Sequence, residues 1–182
     1  LLGLGGCTDV GVNPKSSATA NNVFSEDGAY QSYLAKLYGG LNVTGQEGPA
    51  GDADIGAIDD EGFSQYMRLY WKMQELSTDE AVIAWNDNGI RRLNNHNWTA
   101  SNQFSVGMYS RVFFQVSQAN EFLRQSTDDR LNSRGVGAER QQQIQQYRAE
   151  ARFLRALSYW HGIDLFGDIP LVTEDFPRGA EA

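Results

Sequence analysis

The chain of 182 residues is long enough for one domain with a real core, and its 41% hydrophobic and 12% aromatic content argues for a folded one. A net charge of −8 argues against a nucleic-acid partner, because phosphate binding needs basic surface. The single cysteine, Cys7, leaves no disulfide framework and no cysteine-based metal site.

In chain order, Leu1-Leu2-Gly3-Leu4-Gly5-Gly6-Cys7 reads as the tail of a signal peptide's apolar region meeting a lipobox. It is too short to cross a bilayer, and no later apolar run approaches the ~20 residues a spanning helix needs. Residues 8–22 carry Gly, Ser, Thr, Asn, Ala and Pro without periodicity, the composition of a flexible tether. A first helix is expected from Ser25 as N-cap, with Glu26 and Asp27 in its acidic first turn. Ala29, Tyr30, Tyr33, Leu34, Leu37 and Tyr38 recur at helical spacing, and Gly39-Gly40 ends the run.

Residues 41–62 form a long loop rich in glycine and acid. Asp52, Asp54, Asp59, Asp60 and Glu61 offer oxygen ligands for calcium, but their order fails the EF-hand rule at its sixth and twelfth positions, so a solvated acidic loop is the default. A second helix is expected over 63–76, with Tyr66, Leu69, Tyr70, Met73 and Leu76 on one face. Ser77, Thr78 and Asp79 suit a turn or a cap. Asp79 and Glu80 would tempt a glycosidase reading, but that chemistry needs carboxylates facing each other across a substrate, roughly 5–9.5 Å apart, and sequence neighbours point apart.

The stretch from Trp85 to Trp98 concentrates planar amides, rings and cations, the chemistry of a sugar site: a ring to stack on, with amides and Arg to read hydroxyls. Trp85, Asn86, Asp87, Arg91 and Asn95 are the candidate ligand residues. Trp85 reads equally as an exposed platform or as core, whereas Trp98, just ahead of a helix start at Ser101, reads as a core staple. His96 has no second ligand at metal spacing. No nucleophile with an adjacent base, no metal cluster and no phosphate loop is visible, so neither a catalytic residue nor a cofactor is expected.

A third helix is expected over 102–124, with Val106, Tyr109, Val112, Phe113, Val116, Asn120 and Leu123 on one stripe, Asn120 serving a bond between helices. A polar stretch, 125–138, links it to a last helix that stops at Gly167 and exits extended through Pro170. Two amphipathic helices so joined make an antiparallel hairpin. On the last helix Tyr147, Phe153, Leu154, Leu157, Trp160 and Leu165 share a broad apolar face, with Arg148, Arg152, Arg155 and Tyr159 opposite. Glu150, His161 and Asp164 interrupt that apolar face and are expected to form a structural polar network, with His161 and Asp164, three apart, able to bond to each other.

The run Ala-Glu-Ala-Arg-Phe-Leu-Arg-Ala at 149–156, followed by Leu165-Phe166-Gly167-Asp168-Ile169-Pro170-Leu171-Val172, resembles the signature helix and exit of the SusD/RagB family. Residues 74–80 and 118–123 resemble the same family. The resemblance implies an all-α, tetratricopeptide-like array of helical hairpins with long ligand loops; no clean internal repeat supports that label independently. It implies a lipoprotein of the bacterial outer membrane, surface-exposed and anchored by a lipid on Cys7, that binds glycans and passes them to a TonB-dependent transporter barrel of the SusC type. Family members are much longer, so residues 23–182 are expected to form the N-terminal helical part, with the ligand site completed by loops beyond residue 182. A helical-repeat adaptor for protein is the competing reading, and a glycosidase using the acids of the 52–61 loop a third.

Overall fold

The computed structural model describes residues 20–26, 28–44, 55, 64–87 and 89–177. Among them the secondary structure is helical throughout, with no strand: α1 (Ala20–Phe24), α2 (Ala29–Gly39), α3 (Tyr66–Glu75), α4 (Ile90–Asn94), α5 (Gln103–Gln125), α6 (Asp128–Ser133) and α7 (Ala138–Phe166). Cys7 and the five acids of the 41–62 loop lie outside the described residues; of that loop only residues 41–44 and Ile55 are described.

The helix boundaries follow local chemistry, with some departures from expectation. α1 begins at Ala20, inside the stretch read as tether, and the Ser25 hydroxyl closes it by donating to the Asn22 carbonyl rather than capping α2. α2 starts instead after Gly28, whose φ of 82° is a left-handed turn that costs glycine little. α3 starts three residues later than expected, after Gln65. α5 takes its side-chain cap from Asn102, one residue beyond the start expected at Ser101, with Asn102 Oδ1 accepting the Phe104 amide at 3.0 Å. The stretch read as a linker holds a further short helix, α6, because Thr127 accepts the Arg130 amide and Asp128 and Asp129 complement the helix dipole. α7 ends at Gly167, φ 75°, where the sequence indicated.

α5 and α7 form the expected antiparallel hairpin: Val112 meets Gly162, Asn120 meets Arg155, and the Leu123 carbonyl accepts from Arg148. α5 is the spine of two apolar clusters. Its second half packs Ala119, Phe122 and Leu123 with Phe24, Tyr30, Leu34 and Leu37 of α1 and α2 and with Ile144, Ala151 and Leu154 of α7. Its first half packs Phe104, Met108 and Val112 with Tyr66, Leu69 and Met73 of α3 and with Ile90 and Leu93 of α4. Gln115, buried on α5, donates to the Leu37 carbonyl at 2.6 Å and so satisfies the end of α2.

The wheel of α7 comes out turned from its expected setting. Arg148, Ala151, Leu154, Ser158, His161 and Gly162 face inward, while Phe153, Trp160 and Ile163 stand about 60% exposed. The inward polar groups have partners that a wheel cannot show. Arg148 donates to the Leu123 carbonyl and to the Ser126 hydroxyl, and Arg155 pairs with Glu174 and with Asn120 Oδ1. Small residues at 151, 158 and 162 let α7 lie close to α5, a preference that average hydrophobicity does not record. Val106 and Tyr109 of the expected α5 stripe are likewise exposed, and Phe104, Met108 and Phe122 take the core positions.

After Gly167 the chain turns back across α5 and α7 and is tied down by their polar residues. Asn120 Nδ2 donates to the Val172 carbonyl at 2.9 Å, and Arg124 donates to the carbonyls of Glu174 at 2.7 Å and Phe176 at 2.9 Å. Asn120 thus makes its expected bond between helices and also holds the exit segment.

Candidate functional site

The candidate ligand residues sit on a segment that has little core of its own and is fastened at three places. At its start, Thr78 closes a turn after α3, donating to the Glu75 carbonyl at 2.7 Å and accepting the Glu80 amide at 3.1 Å. Residues 81–87 then run extended, with Ala81 and Ile83 turned to the α3–α5 core and Val82, Ala84 and Trp85 outward. Gly89, φ 86°, reverses the chain into α4, whose Ile90 and Leu93 anchor it in the core. Asn102 donates to the Gly89 carbonyl at 3.0 Å with the same side chain that caps α5. One amide therefore locks the ligand segment onto the spine helix.

Trp85 is 50% exposed and so is not a buried core ring. The Arg68 guanidinium, from the first turn of α3, lies 5.7 Å from the centroid of its ring. Sequence reasoning did not single out Arg68; nothing in linear spacing joins it to Trp85, and only the packing of the extended segment beside α3 does. Asn86 is exposed and Asp87 half-buried beside Trp85 in sequence. Arg91 and Asn95 project from α4 and line a separate cleft of 270 Å³ with Leu76, Val82, Ile83 and Asn94. The candidate residues thus fall into two neighbouring sets, the Trp85–Arg68 surface and the α4 cleft.

Glu150, His161 and Asp164 each bond across to another helix, and not to one another. Glu150 accepts from the Tyr38 hydroxyl of α2 at 2.7 Å, a bond that raises the Tyr38 pKa. His161 Nδ1 lies 3.0 Å from the Tyr66 hydroxyl of α3, and Tyr70 stacks on its ring at 4.0 Å. Asp164 accepts from Gln74 of α3 rather than from His161, because the His161 ring is turned inward to Tyr66 while Asp164 stays at the surface. Only His161 is buried, and burial lowers its pKa, with Asp164 opposing the shift; burial likewise pushes the Tyr66 hydroxyl up to about 12.

Trp98, expected as a core staple, is instead 39% exposed, as no core position remains for it once Ile90, Leu93 and Phe104 fill that end of the cluster. It borders a cleft of 580 Å³ with Gln74, Tyr109, Asp164 and Phe166. Among the described residues no group of His, Cys, Asp or Glu is arranged to hold a metal, and no helix is long and apolar enough to cross a membrane.

No family model matches the chain. A curated relative, the starch-binding protein SusD of Bacteroides thetaiotaomicron, is 36% identical over 163 residues, which are 89% of this chain. The chain spans 27% of the length of that relative. Identity at this level over nearly the whole chain, together with the all-helical fold and the signature helix and exit at 149–172, places it in the SusD-like family, as the counterpart of the N-terminal portion of such a protein.

Proposed function

We propose that this chain is the helical part of a glycan-capturing lipoprotein that binds oligosaccharides without transforming them. The observation that carries the reading is Trp85, a half-exposed indole with the Arg68 guanidinium over its ring, on a segment fastened to α5 by Asn102. A flat ring packs against the apolar face of a pyranose, while Arg68, Asn86 and Asp87 supply donors and acceptors for its hydroxyls. Arg91 and Asn95 extend the surface along α4. The name of the relative, a starch-binding protein, supports an α-glucan as the first ligand to test.

In this reading Cys7 carries the lipid, the protein sits on the outer face of the outer membrane, and captured oligosaccharide passes to a TonB-dependent transporter of the SusC type for import. No cofactor, metal or nucleic acid takes part. The test is calorimetric titration of maltoheptaose, and then of plant, host and microbial glycans, into the wild type and Trp85→Ala. Binding that Trp85→Ala abolishes supports the reading, and silence across all these glycans refutes it.

A protein-adaptor reading draws on a different observation, the exposed Phe153, Trp160 and Ile163 of α7. Co-purification that survives Trp85→Ala but not Trp160→Ala would favour it.

A further inference from the structure

The cleft beside Trp98 shares no residue with either part of the site described above. It lies where the end of α3, the start of α5 and the end of α7 meet, and its volume of 580 Å³ falls within the ~300–1,000 Å³ of small-molecule sites. Two of its rings stand 39% exposed, Trp98 and Tyr109, and both are braced. Tyr109 rests on Phe113 at 4.8 Å and edge-on to Phe166 at 5.4 Å. Trp98 is brought round by His96, whose φ of 53° is a left-handed turn uncommon outside glycine, and the two rings lie 5.9 Å apart.

The polar groups of the cleft are mainly acceptors with capacity to spare. Gln74 spends its amide nitrogen on Tyr70 and on Asp164 Oδ2, which leaves Gln74 Oε1 and Asp164 Oδ1 open among the described residues. Ser105 is 8% exposed, and among the described residues its hydroxyl has only the Met73 sulfur, at 3.8 Å, a weak acceptor. A buried hydroxyl so poorly served has a strong bond to gain from a ligand. Flat braced rings with acceptors beside them suit a neutral polyol, which brings apolar ring faces and hydroxyl donors together. The Asp164 carboxylate disfavours a phosphate or an acidic sugar there.

We propose that this cleft is a second carbohydrate subsite, which takes a neutral pyranose ring against Trp98 and Tyr109 with its hydroxyls on Gln74, Asp164 and Ser105. The assignment rests on the glycan-capture reading for its choice of ligand class, and on separate residues for its geometry. Two subsites on one chain would raise avidity for long or branched glycans beyond what either ring gives alone.

The experiment is ¹⁹F NMR of the protein as the cell makes it, labelled with 5-fluorotryptophan. Resonances of residues 85 and 98 are assigned by Trp85→Phe and Trp98→Phe. Glucose, galactose, xylose and maltoheptaose are titrated in turn. The expected result is a saturable shift of the Trp98 resonance with at least one of these sugars. It persists in Trp85→Ala and weakens about tenfold in Asp164→Ala, whose fold is checked by the unchanged resonance of residue 85. A shift at residue 85 alone overturns the second subsite and leaves the capture reading standing; a shift at 98 alone supports the subsite and removes Trp85 as the capture platform. Silence at both overturns the second subsite and removes α-glucan as the ligand of the capture reading, and a shift at 98 that Asp164→Ala leaves undiminished overturns the assignment to this cleft.

Discussion

The Tyr159 hydroxyl donates to the Val172 carbonyl and accepts the Val172 amide, both at 2.7 Å. One side chain thus serves both backbone groups of a residue that belongs to no sheet or helix. Around that clasp Asn120, Arg124 and Arg155 fasten the same exit segment, so polar residues of both α5 and α7 hold the chain's return across them. Tyr159→Phe removes both bonds and leaves the Val172 amide without a partner, while Asn120 still serves the carbonyl. We expect a loss of about 1–3 kcal/mol in urea unfolding, with amide exchange accelerated at Val172 beyond the global change. Equal protection of Val172 in the two proteins would show that the clasp contributes nothing.

At Gly162 α7 lies against both Val112 of α5 and Ile169 of the exit segment. A Cβ there would lie 2.5 Å from Ile169 Cδ1 and 3.2 Å from Val112 Cγ1. Gly162→Ala therefore sets overpacking, about 1–3 kcal/mol, against a helix-propensity gain of about 1 kcal/mol. The Ile169 methyl can swing away but Val112, on a buried helix face, gives less. The expected balance is a net destabilisation of about 1 kcal/mol, read as a lower urea midpoint at unchanged m-value. A stabilised variant would mean that the exit segment yields freely.

How much of this was legible in the sequence depended on which physics each element uses. The stop at Gly167 is local chemistry and could be read directly, and the cap of α5 is local too, although it falls on Asn102, one residue beyond the start expected at Ser101. α6 was equally local, its Thr127-Asp128-Asp129 start being a capping signal, but the polar composition of the stretch hid it. The inward face of α7 could not be read, because apolar averaging ranks Phe153 and Trp160 above Arg148 and Arg155, and what turns the arginines inward is a set of carbonyls and a carboxylate far away in sequence. The same holds for the site. Trp85 announces itself by composition, whereas Arg68 joins it only through the fold.

His161 should make stability depend on pH. Burial holds its folded pKa below the ordinary 6.5, so between the two values the unfolded chain binds more protons. Its contribution is complete above about pH 6.5 and is lost as the pH falls through the lower folded value. The groups facing it are Tyr66 and Tyr70 from α3 and Asp164 on its own helix, and Asp164 opposes the shift. Glu174 acts in the same sense at lower pH. Burial is the largest single influence and works against its charge, but the Arg155 hydrogen bond, a backbone hydrogen bond and the charges of Arg155 and Arg152 together outweigh it and hold the pKa below 4.5. Urea unfolding at a series of pH values should show stability falling from about pH 6.5 downward in the wild type. His161→Phe should flatten the slope above pH 4.5 and leave the Glu174 limb intact. A wild-type slope retained in His161→Phe would assign the dependence to another group.

Asn102 ties stability to the proposed capture of glycan, because one carboxamide caps α5 and holds the Gly89 turn that leads back to Trp85. Asn102→Ala loses the cap, worth about 0.5–2 kcal/mol, and frees the Gly89 carbonyl. Asn102→Asp keeps the cap, since an oxygen still faces the Phe104 amide, but it cannot donate to Gly89 and turns a second oxygen toward that carbonyl. The two variants therefore separate the roles. If the Gly89 bond orders the ligand segment, both weaken maltoheptaose binding, while only Asn102→Ala shows the full loss of the cap in urea unfolding. Weaker binding in Asn102→Ala alone would mean that the segment follows the stability of α5. Wild-type affinity in both would mean that Trp85 and Arg68 keep their arrangement without the clamp.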